Sequence, residues 1–175
     1  AIESINSLNS KEHSKLVLSS DADGSVYGGL LFNIGAPSPY YSENDVPIST
    51  TTTTTTANNS LYMYSLFDFH LHTGTVWSLD YDPMKNDRLF ATGGFDGAIS
   101  LIELLSSSTG SAQVKAKIDN AHTNEIWDMC IFDHTSLVTG SQDKSIRLFN
   151  METQQPMRSI EKAFFGAIYA VSCDS

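Results

Sequence analysis

The chain has 175 residues, of which 41% are hydrophobic, and a formal net charge of −10 from 20 acidic and 10 basic residues. This acidic balance argues against direct binding of nucleic acid, because affinity for phosphates comes largely from lysine and arginine. The sequence contains no run of 18 apolar residues and no charged-then-apolar leader, so we expect no insertion into a membrane. The length is typical of a single domain.

The cysteine content gives an expectation about the compartment. Cys130 and Cys173 are the two cysteines of the chain, whereas disulfide-stabilised secreted domains carry a denser framework. A reducing compartment, the cytoplasm or the nucleus, is therefore expected. The sequence Asn-Asn-Ser at 58–60 fits an N-glycosylation site, but without a secretory signal we interpret it as a chance match.

The segment Leu16–Val26 contains the turn Asp-Ala-Asp-Gly at 21–24, and strands are predicted at Ser25–Phe32 and Leu61–Phe67. Between the last two, residues 35–59 are rich in Pro, Ser and Thr and include seven consecutive threonines. This stretch lacks the apolar side chains that would offset its ordering entropy. We therefore expect a low-complexity, mobile loop inserted between two strands.

The next unit begins at His72 and contains four short segments rich in β-branched and aromatic residues, which is strand composition. A tight turn, Gly-Phe-Asp-Gly at 94–97, separates the second segment from the third. The predicted strands are Val76–Tyr81, Leu89–Thr92, Ile99–Leu104 and Gln113–Ile118.

A second copy of this unit begins at His122, 50 residues after His72. Asp143 in its turn lies 47 residues after Asp96. A period of this length indicates one supersecondary unit that is repeated. Residues 167–173 begin a further copy that stops after one strand. The strands predicted for the second copy are Ile126–Ile131, Leu137–Thr139, Ile146–Phe149 and, more weakly, Met157–Ile160.

The first segment fits the same frame, since Leu16–Val26 aligns with Leu89–Ile99 without a gap. Asp23 lies 73 residues before Asp96, and this separation becomes 48 once the insert 35–59 is left out. Few segments have helical periodicity longer than one turn. The chain is therefore predicted to be all-β, with four short strands in each repeated unit.

These repeats resemble those of the WD40 family, whose repeats fold as the blades of a β-propeller. The family pattern is a Gly-His pair, an apolar strand, Ser/Thr-Gly-Ser-x-Asp and then Ile-x-x-Trp-Asp. Residues 122–150 match it closely, residues 72–103 nearly as well and residues 1–34 moderately. The resemblance implies a partial propeller of about three four-stranded blades plus one innermost strand. The implied boundaries are one domain at 1–175, with blades at about 1–68, 72–118 and 122–161 and the start of the next at 166–175.

In the WD40 family a His, an Asp, a Ser or Thr and a Trp form a hydrogen-bonded network within each blade. Such a network is sensible because buried polar groups are tolerated when they satisfy one another. The Trp-Asp position reads Phe149-Asn150 in the third blade, so the indole is missing and a triad is expected at most. By position, the resemblance implies structural sets of His72, Thr92 and Asp96, of His122, Thr139 and Asp143, and of Ser19 and Asp23.

The number of blades predicts that the ring is incomplete. Propellers close with four to eight blades, and three open blades would expose two flat faces and unpaired strand edges. We therefore interpret the chain as a segment of a longer WD40 protein. The alternative is that another chain completes the ring.

Several patterns suggest chemistry, and each has a plainer interpretation. His72 or His122 with its Asp and Thr resembles a nucleophile–base set, but it recurs once per repeat and is interpreted as structural. His70 and His72 would offer two metal ligands, yet no third ligand shares the pattern. Residues 21–24, Asp-Ala-Asp-Gly, begin like a calcium loop but lack its remaining ligands. We expect no catalytic residue, no metal site and no cofactor.

The functional signal is a surface at which aromatic residues recur. Trp77, Trp127 and Tyr169 occupy the same position in three consecutive repeats, directly after the residue that opens the innermost strand. In WD40 proteins this position lies at the channel mouth, on the face that often binds peptides. The alternative is that the two tryptophans pack between blades. The partner-binding residues implied are Trp77, Phe95, Trp127, Gln142, Tyr169, Glu125 and Asp128.

The predicted function is that of a non-enzymatic WD40 scaffold or adaptor that is a subunit of a complex and binds a partner protein or peptide at this surface. Aromatic side chains are enriched at binding hot spots, and the acidic residues suit a peptide that contains Lys or Arg. Two other classes stay open. One is an architectural subunit that a larger complex holds by its sides. The other is a WD40-fold hydrolase, which would need a nucleophile and a base outside the repeated positions.

Overall fold

The computed structural model describes residues 14–33, 61–82, 89–106, 111–162 and 164–173. Within these ranges the chain is all-β, with eleven strands and no helix, as the sequence predicts. The predicted loop at 35–59 and the part of the first blade before residue 14 lie outside the described residues. Nothing in the described ranges forms a helix of the length and apolar character that crossing a bilayer requires.

The first sheet has three described strands in the order β1-β2-β3, and both pairings are antiparallel. These strands are β1 (Ser14–Ser20), β2 (Ser25–Asn33) and β3 (Leu61–His70). The turn between β1 and β2 places Gly24 at a φ of +97°, a conformation that suits a residue without a Cβ. This sheet corresponds to the partial first copy of the repeat.

Two four-stranded antiparallel sheets follow, and in each the strands are neighbours in chain order. The second sheet contains β4 (Val76–Tyr81), β5 (Leu89–Gly94), β6 (Ile99–Ser106) and β7 (Ser111–Ile118). The third sheet contains β8 (Ile126–Ile131), β9 (Ser136–Ser141), β10 (Ile146–Asn150) and β11 (Gln155–Ile160).

The core lies between consecutive sheets, in two apolar clusters. Strand β5 contributes to both, and all six of its residues are buried. Since neighbouring residues of a strand point to opposite faces, Phe90 packs towards the first sheet and Leu89 and Ala91 towards the third. Burial on both faces explains why β5 is a continuous run of apolar and small residues instead of an alternating one.

The sheets are arranged radially, with one set of edges together and the other set facing outwards. Strands β4 and β8 lie side by side, and the N–H of Met129 on β8 donates to Ser78 Oγ on β4 at 3.0 Å. The N–H of Ile131 donates to Asp80 Oδ2 at 2.7 Å in the same interface. At the opposite edges, β7 is mostly exposed and β11 is exposed throughout. Innermost strands in contact and exposed outermost strands are the geometry of consecutive propeller blades.

Residues 167–173 take the position of the next innermost strand without joining a ladder. The N–H of Val171 donates to Asp128 Oδ2 at 2.8 Å, which holds the segment beside β8. Ile168 covers Gly140, where an added Cβ would lie 2.6 Å from the Ile168 side chain. The strand predicted at 167–173 is thus not formed among the described residues, although the segment lies beside β8.

Candidate functional site

A buried set of polar side chains fastens the start of the second blade. His72 precedes β4, Thr92 lies on β5 and Asp96 lies in the β5–β6 turn. The His72 ring places Nδ1 2.9 Å from Asp96 Oδ1 and Nε2 2.9 Å from Thr92 Oγ1. An ionised carboxylate can only accept, so Nδ1–H donates to Asp96 and the Thr92 hydroxyl donates to Nε2. The second oxygen of Asp96 accepts the N–H of Thr73 at 3.1 Å.

The third blade repeats this arrangement. His122 Nδ1 lies 3.0 Å from Asp143 Oδ2, and Nε2 lies 2.7 Å from Thr139 Oγ1. The Ser145 hydroxyl is a further donor to Asp143. The His122 ring meets Phe149 edge-on, with centroids 6.3 Å apart, at the position where the family pattern has tryptophan. The two blades therefore share one polar arrangement at equivalent positions.

The protonation states in the third blade follow from burial and from these partners. Burial lowers the pKa of the His122 ring, although the nearby Asp143 carboxylate opposes this shift. Burial alone would raise the pKa of Asp143, but hydrogen bonds from Ser145 and His122 outweigh it and hold that pKa well below its ordinary value. At neutral pH the pair is thus a neutral imidazole and an ionised carboxylate.

The location of these sets decides what they can do chemically. Thr92 and Thr139 are 0% exposed, and His72 and His122 are 1% and 2% exposed. A hydroxyl that is buried away from solvent cannot contact a substrate. These sets therefore lack the accessible nucleophile that a nucleophile–base set needs. The hydrogen bonds instead join a turn, a strand and the chain entering the blade, which is a structural role.

The first blade contains part of the same arrangement. Asp23 Oδ1 accepts the N–H of Ser25 at 2.9 Å, as Asp143 does from Ser145 at 2.9 Å. Ser19 lies on β1 at the position that Thr92 takes on β5. The chain that would enter this blade from its N-terminal side lies outside the described residues.

The candidate metal ligands go to separate partners. His70 Nδ1 lies 3.4 Å from Ser25 Oγ, whereas both nitrogens of His72 are engaged inside the second blade. Asp21 Oδ1 accepts the N–H of Asp23 at 3.4 Å, which is a turn contact. In the part of the chain that the structure describes, no three His, Cys, Asp or Glu side chains are grouped so that they could hold a metal ion.

The aromatic row consists of Trp77, Trp127 and Tyr169, which come from successive innermost segments. The ring centroids of Trp77 and Trp127 are 4.9 Å apart, and those of Trp127 and Tyr169 are 5.5 Å apart. Trp77 is nevertheless 45% exposed and Tyr169 67% exposed. The rings thus contact one another across the blade interfaces and still present one side to solvent.

Two residues at the turns flank the aromatic row. Trp127 donates its Nε1–H to Gln142 Oε1 at 3.0 Å, which satisfies the indole donor and fixes the ring. Phe95 is 55% exposed and covers Gly74, where an added Cβ would lie 2.9 Å from the ring. We call the aromatic row together with Phe95 and Gln142 the rim.

The two acidic residues expected beside the rim have different surroundings. Glu125 is half-buried, and its carbonyl accepts the N–H of Gln142 at 2.9 Å. Asp128 accepts the Ser78 hydroxyl on one oxygen at 3.2 Å and the N–H of Val171 on the other at 2.8 Å. Its charge is therefore engaged in the contacts between blades. Strand alternation could have indicated this, since Asp128 follows Trp127 directly and points to the opposite face.

Ser78 and Asp80 are residues that the sequence did not single out. Each accepts a backbone N–H from the neighbouring blade, from Met129 and Ile131 respectively. The only local signal is a polar side chain at alternate positions of an otherwise apolar strand. A cavity of about 250 Å³ between β1 and β4, beside Trp77, also escapes sequence reasoning.

Comparison with known proteins agrees with this architecture. Residues 63–103 and 113–150 match the model of the WD domain, G-beta repeat. A bromodomain and WD repeat-containing protein of Dictyostelium discoideum is 31% identical over 115 residues, which is 65% of this chain and 4% of that protein. Beige protein homolog 1 of Schizosaccharomyces pombe is 23% identical over 99 residues, 56% of this chain and 4% of that protein. The chain thus spans about 4% of the length of these relatives.

The matched stretches have a simple relation to the sheets. Each begins in the outermost strand of one blade, β3 or β7, and ends in the third strand of the next, β6 or β10. Each repeat therefore overlaps two blades and contains the hydrogen bonds that join them. WD40 repeats in general form scaffolds for protein interaction, and the family is generally non-enzymatic. The matched repeats and the sheets agree: residues 63–103 and 113–150 are WD40 repeats, and the sheets that they form have the arrangement of propeller blades.

Proposed function

We propose that the protein is a scaffold that binds a partner protein or peptide through the rim. The observation that carries this proposal is the aromatic row, in which three rings contact one another at tilted angles across blade interfaces while Trp77 is 45% and Tyr169 67% exposed. Rings whose role was only to fill the space between blades would be buried. Aromatic side chains with one open face are typical anchors at binding hot spots, because they bury much area and lose little rotamer freedom.

The chemistry of the rim favours a partner segment that contains Lys or Arg. The faces of the tryptophan rings attract cations, with Trp the most favourable of the aromatic residues. The net charge of −10 adds long-range attraction for a basic segment. Glu125 lies two residues before Trp127 in the chain and adds a negative charge to this segment. The proposed ligand is thus a basic peptide in an exposed loop or tail of a partner protein.

Alanine substitution in the aromatic row tests this function. We expect Trp77→Ala and Trp127→Ala to weaken retention on an array of immobilised Lys- and Arg-containing peptides by about tenfold or more, in line with hot-spot residues. The circular dichroism spectrum should be largely unchanged. Phe132→Ala is the matched control, because Phe132 is 50% exposed but follows the opposite end of β8. Equal retention of wild type and both Trp variants would contradict binding at the rim.

A second candidate function, an architectural subunit held by its sides, draws on a different observation. Every residue of the outermost strand β11 is exposed, including Met157 at 53% and Ile160 at 59%. Outward-facing apolar residues on a sheet edge suit a contact with another subunit. Cross-linking within an assembled complex would favour this candidate if β11 is covered and the rim is free.

A further inference from the structure

The two cysteines of the chain meet between the third blade and the segment that follows it. Cys130 lies on β8 and Cys173 lies in residues 167–173, and both are free and half-buried. Cys173 Sγ is 3.8 Å from the Cys130 carbonyl oxygen, although 43 residues separate the two cysteines in the chain. The fold therefore brings together two thiols that are distant in sequence.

The register of the segment directs both thiols to the same place. The N–H of Val171 donates to Asp128 Oδ2 at 2.8 Å, and the N–H of Ile168 donates to the backbone of β9 at 3.0 Å. Asp128 and Cys130 lie two residues apart on β8, so their side chains share the face that is turned to the segment. Cys173 likewise lies two residues after Val171. The segment is thus held beside β8 with its cysteine next to Cys130.

The surroundings of the Cys173 thiol keep it protonated. Burial, together with a hydrogen bond that joins it to the Cys130 thiol and the nearby carboxylates of Asp80 and Asp128, raises the pKa of Cys173 to about 12. Little thiolate is present at neutral pH, so reaction with an oxidant is slow. A disulfide carries no charge, and burial beside two carboxylates does not oppose it as it opposes the thiolate. The pair is therefore better suited to a link between the two sulfurs than to nucleophilic catalysis.

We propose that Cys130 and Cys173 form a redox modification site, at which a small-molecule disulfide of the glutathione class converts the two thiols into an intramolecular disulfide. The thiolate of one cysteine attacks a sulfur of the oxidant, so a protein–oxidant S–S bond forms and the oxidant's own S–S bond breaks. The second cysteine then attacks the protein sulfur of this mixed disulfide and releases the other half of the oxidant. Two protons and two electrons pass from the cysteines to the oxidant, which leaves as two thiols.

The link fastens residues 167–173 to the third blade by a covalent bond in addition to the hydrogen bonds. This segment carries Tyr169, whose ring centroid lies 5.5 Å from that of Trp127, so the position of the segment affects the rim. Formation of the disulfide needs no partner at the rim and does not depend on the proposed function. In a reducing compartment the pair stays as thiols, and a rise in the oxidised small-molecule disulfide joins them.

Equilibration with glutathione tests this site. The chain is incubated with mixtures of reduced and oxidised glutathione, both folded and in concentrated urea, quenched with acid and analysed by mass spectrometry. An internal disulfide lowers the mass by two hydrogens and joins the tryptic peptides 118–144 and 163–175. The ratio of squared thiol to disulfide concentration at half-oxidation gives the effective concentration of the pair. We expect this value to be about tenfold or more higher in the folded chain than in urea, because the fold already holds the thiols together.

Two variants test whether the register of the segment positions the thiols. Asp128→Ala removes the acceptor that holds Val171 beside β8 and should lower the effective concentration in the folded chain several-fold. Asp119→Ala is the matched control, because it removes the same charge from a side chain that is 72% exposed, and it should leave the value unchanged.

Equal effective concentrations of the wild-type pair in the folded chain and in urea would overturn the proposal. A folded chain that gains two separate glutathione adducts, or a disulfide that joins two copies of the chain, would also overturn it. The same is true of equal effects from Asp128→Ala and Asp119→Ala.

Discussion

His122 has a partner on each ring nitrogen, Asp143 on Nδ1 and Thr139 on Nε2, and almost no contact with solvent. We expect His122→Ala to lower the free energy of unfolding by about 1–3 kcal/mol, because both partners keep their burial and lose a hydrogen bond. Urea denaturation followed by circular dichroism measures this change. His134→Ala is the control, since the His134 side chain is 57% exposed. A His122→Ala protein as stable as wild type would contradict the fastening role.

The same measurement at lower pH separates the hydrogen bonds from simple packing. Burial lowers the pKa of His122 from its ordinary value of 6.5, so the unfolded chain takes up a proton more readily than the folded one. Wild-type stability should therefore fall as the pH drops from 7 towards 5, by at most about 1.4 kcal/mol per pH unit for one proton. The alanine variant lacks this contribution, so the difference in the free energy of unfolding between wild type and His122→Ala should become smaller as the pH falls. An unchanged difference at pH 5 would argue against a neutral, buried imidazole.

At the scale of elements, the turn after the second strand of a blade joins that blade to the next. Gly97 has a φ of +67°, and its carbonyl accepts the N–H of His122 at 3.0 Å. Lys144 occupies the equivalent turn of the third blade with a φ of 72°. Such backbone conformations cost a residue with a Cβ about 1–2 kcal/mol. The two turns therefore have the same backbone geometry, which is unstrained at Gly97 and strained by the Cβ at Lys144.

Substitutions at Gly97 and at Lys144 are predicted to change the stability of the protein in opposite directions. We expect Gly97→Ala to destabilise the protein, because the added Cβ would lie 2.7 Å from the His122 carbonyl oxygen in addition to the backbone strain. Lys144→Gly should stabilise it by about 0.5–1 kcal/mol, since relief of strain exceeds the entropy that glycine adds to the unfolded chain. Thermal melts of both variants measure these changes. Destabilisation by Lys144→Gly would show that the turn is not strained.

The order of the strands could be predicted from the sequence because each repeat contains turn residues that mark where its strands begin and end. Strand composition, the Asp-containing turns and the spacing of the His and Asp residues are local features, and together they predict the sheets of the fold. The orientation of Asp128 and the role of Asp80 were not predicted. Both depend on which backbone N–H the neighbouring blade presents, and that is a property of stacked sheets that no local pattern contains. The equivalent positions of Trp77 and Trp127 in successive repeats predicted that they lie together. Their exposed fractions could be obtained only from the structure.

At the scale of the whole molecule, the second blade, the third blade and residues 167–173 are joined by side chains that accept backbone N–H groups across the inner edges. Ser78 links β4 to β8 and also donates to Asp128, which in turn accepts from Val171. These contacts run along the innermost segments of the second blade, the third blade and residues 167–173. They fix the distance and the relative height of the blades, and so hold the aromatic row at one level. Rim geometry is therefore a consequence of this inner series of hydrogen bonds.

Asp80 is the member of this series whose charge is unfavourable. Burial raises the pKa of its carboxyl, and the nearby Asp128 and Asp82 carboxylates raise it further, although the N–H of Ile131 opposes the shift. A raised pKa in the folded state means that the ionised form opposes folding, so this contribution destabilises at neutral pH and is relieved as the pH falls. The Asp80 oxygen stabilises the fold by accepting the N–H of Ile131, whereas the negative charge of the carboxylate destabilises it.

Replacing Asp80 by two different residues separates these effects. Asp80→Asn keeps an oxygen that can accept the N–H of Ile131 and removes the charge, so we expect a higher melting temperature at pH 7. Asp80→Ala leaves that buried N–H without its acceptor and should cost about 1–3 kcal/mol. Asp68→Asn is the control for net charge, because Asp68 is exposed on β3. If Asp80→Asn and Asp80→Ala melt alike, the hydrogen bond from Ile131 to Asp80 does not hold the second and third blades together, and the level of the aromatic row is set by the remaining contacts of Ser78 and Asp128 and by apolar packing.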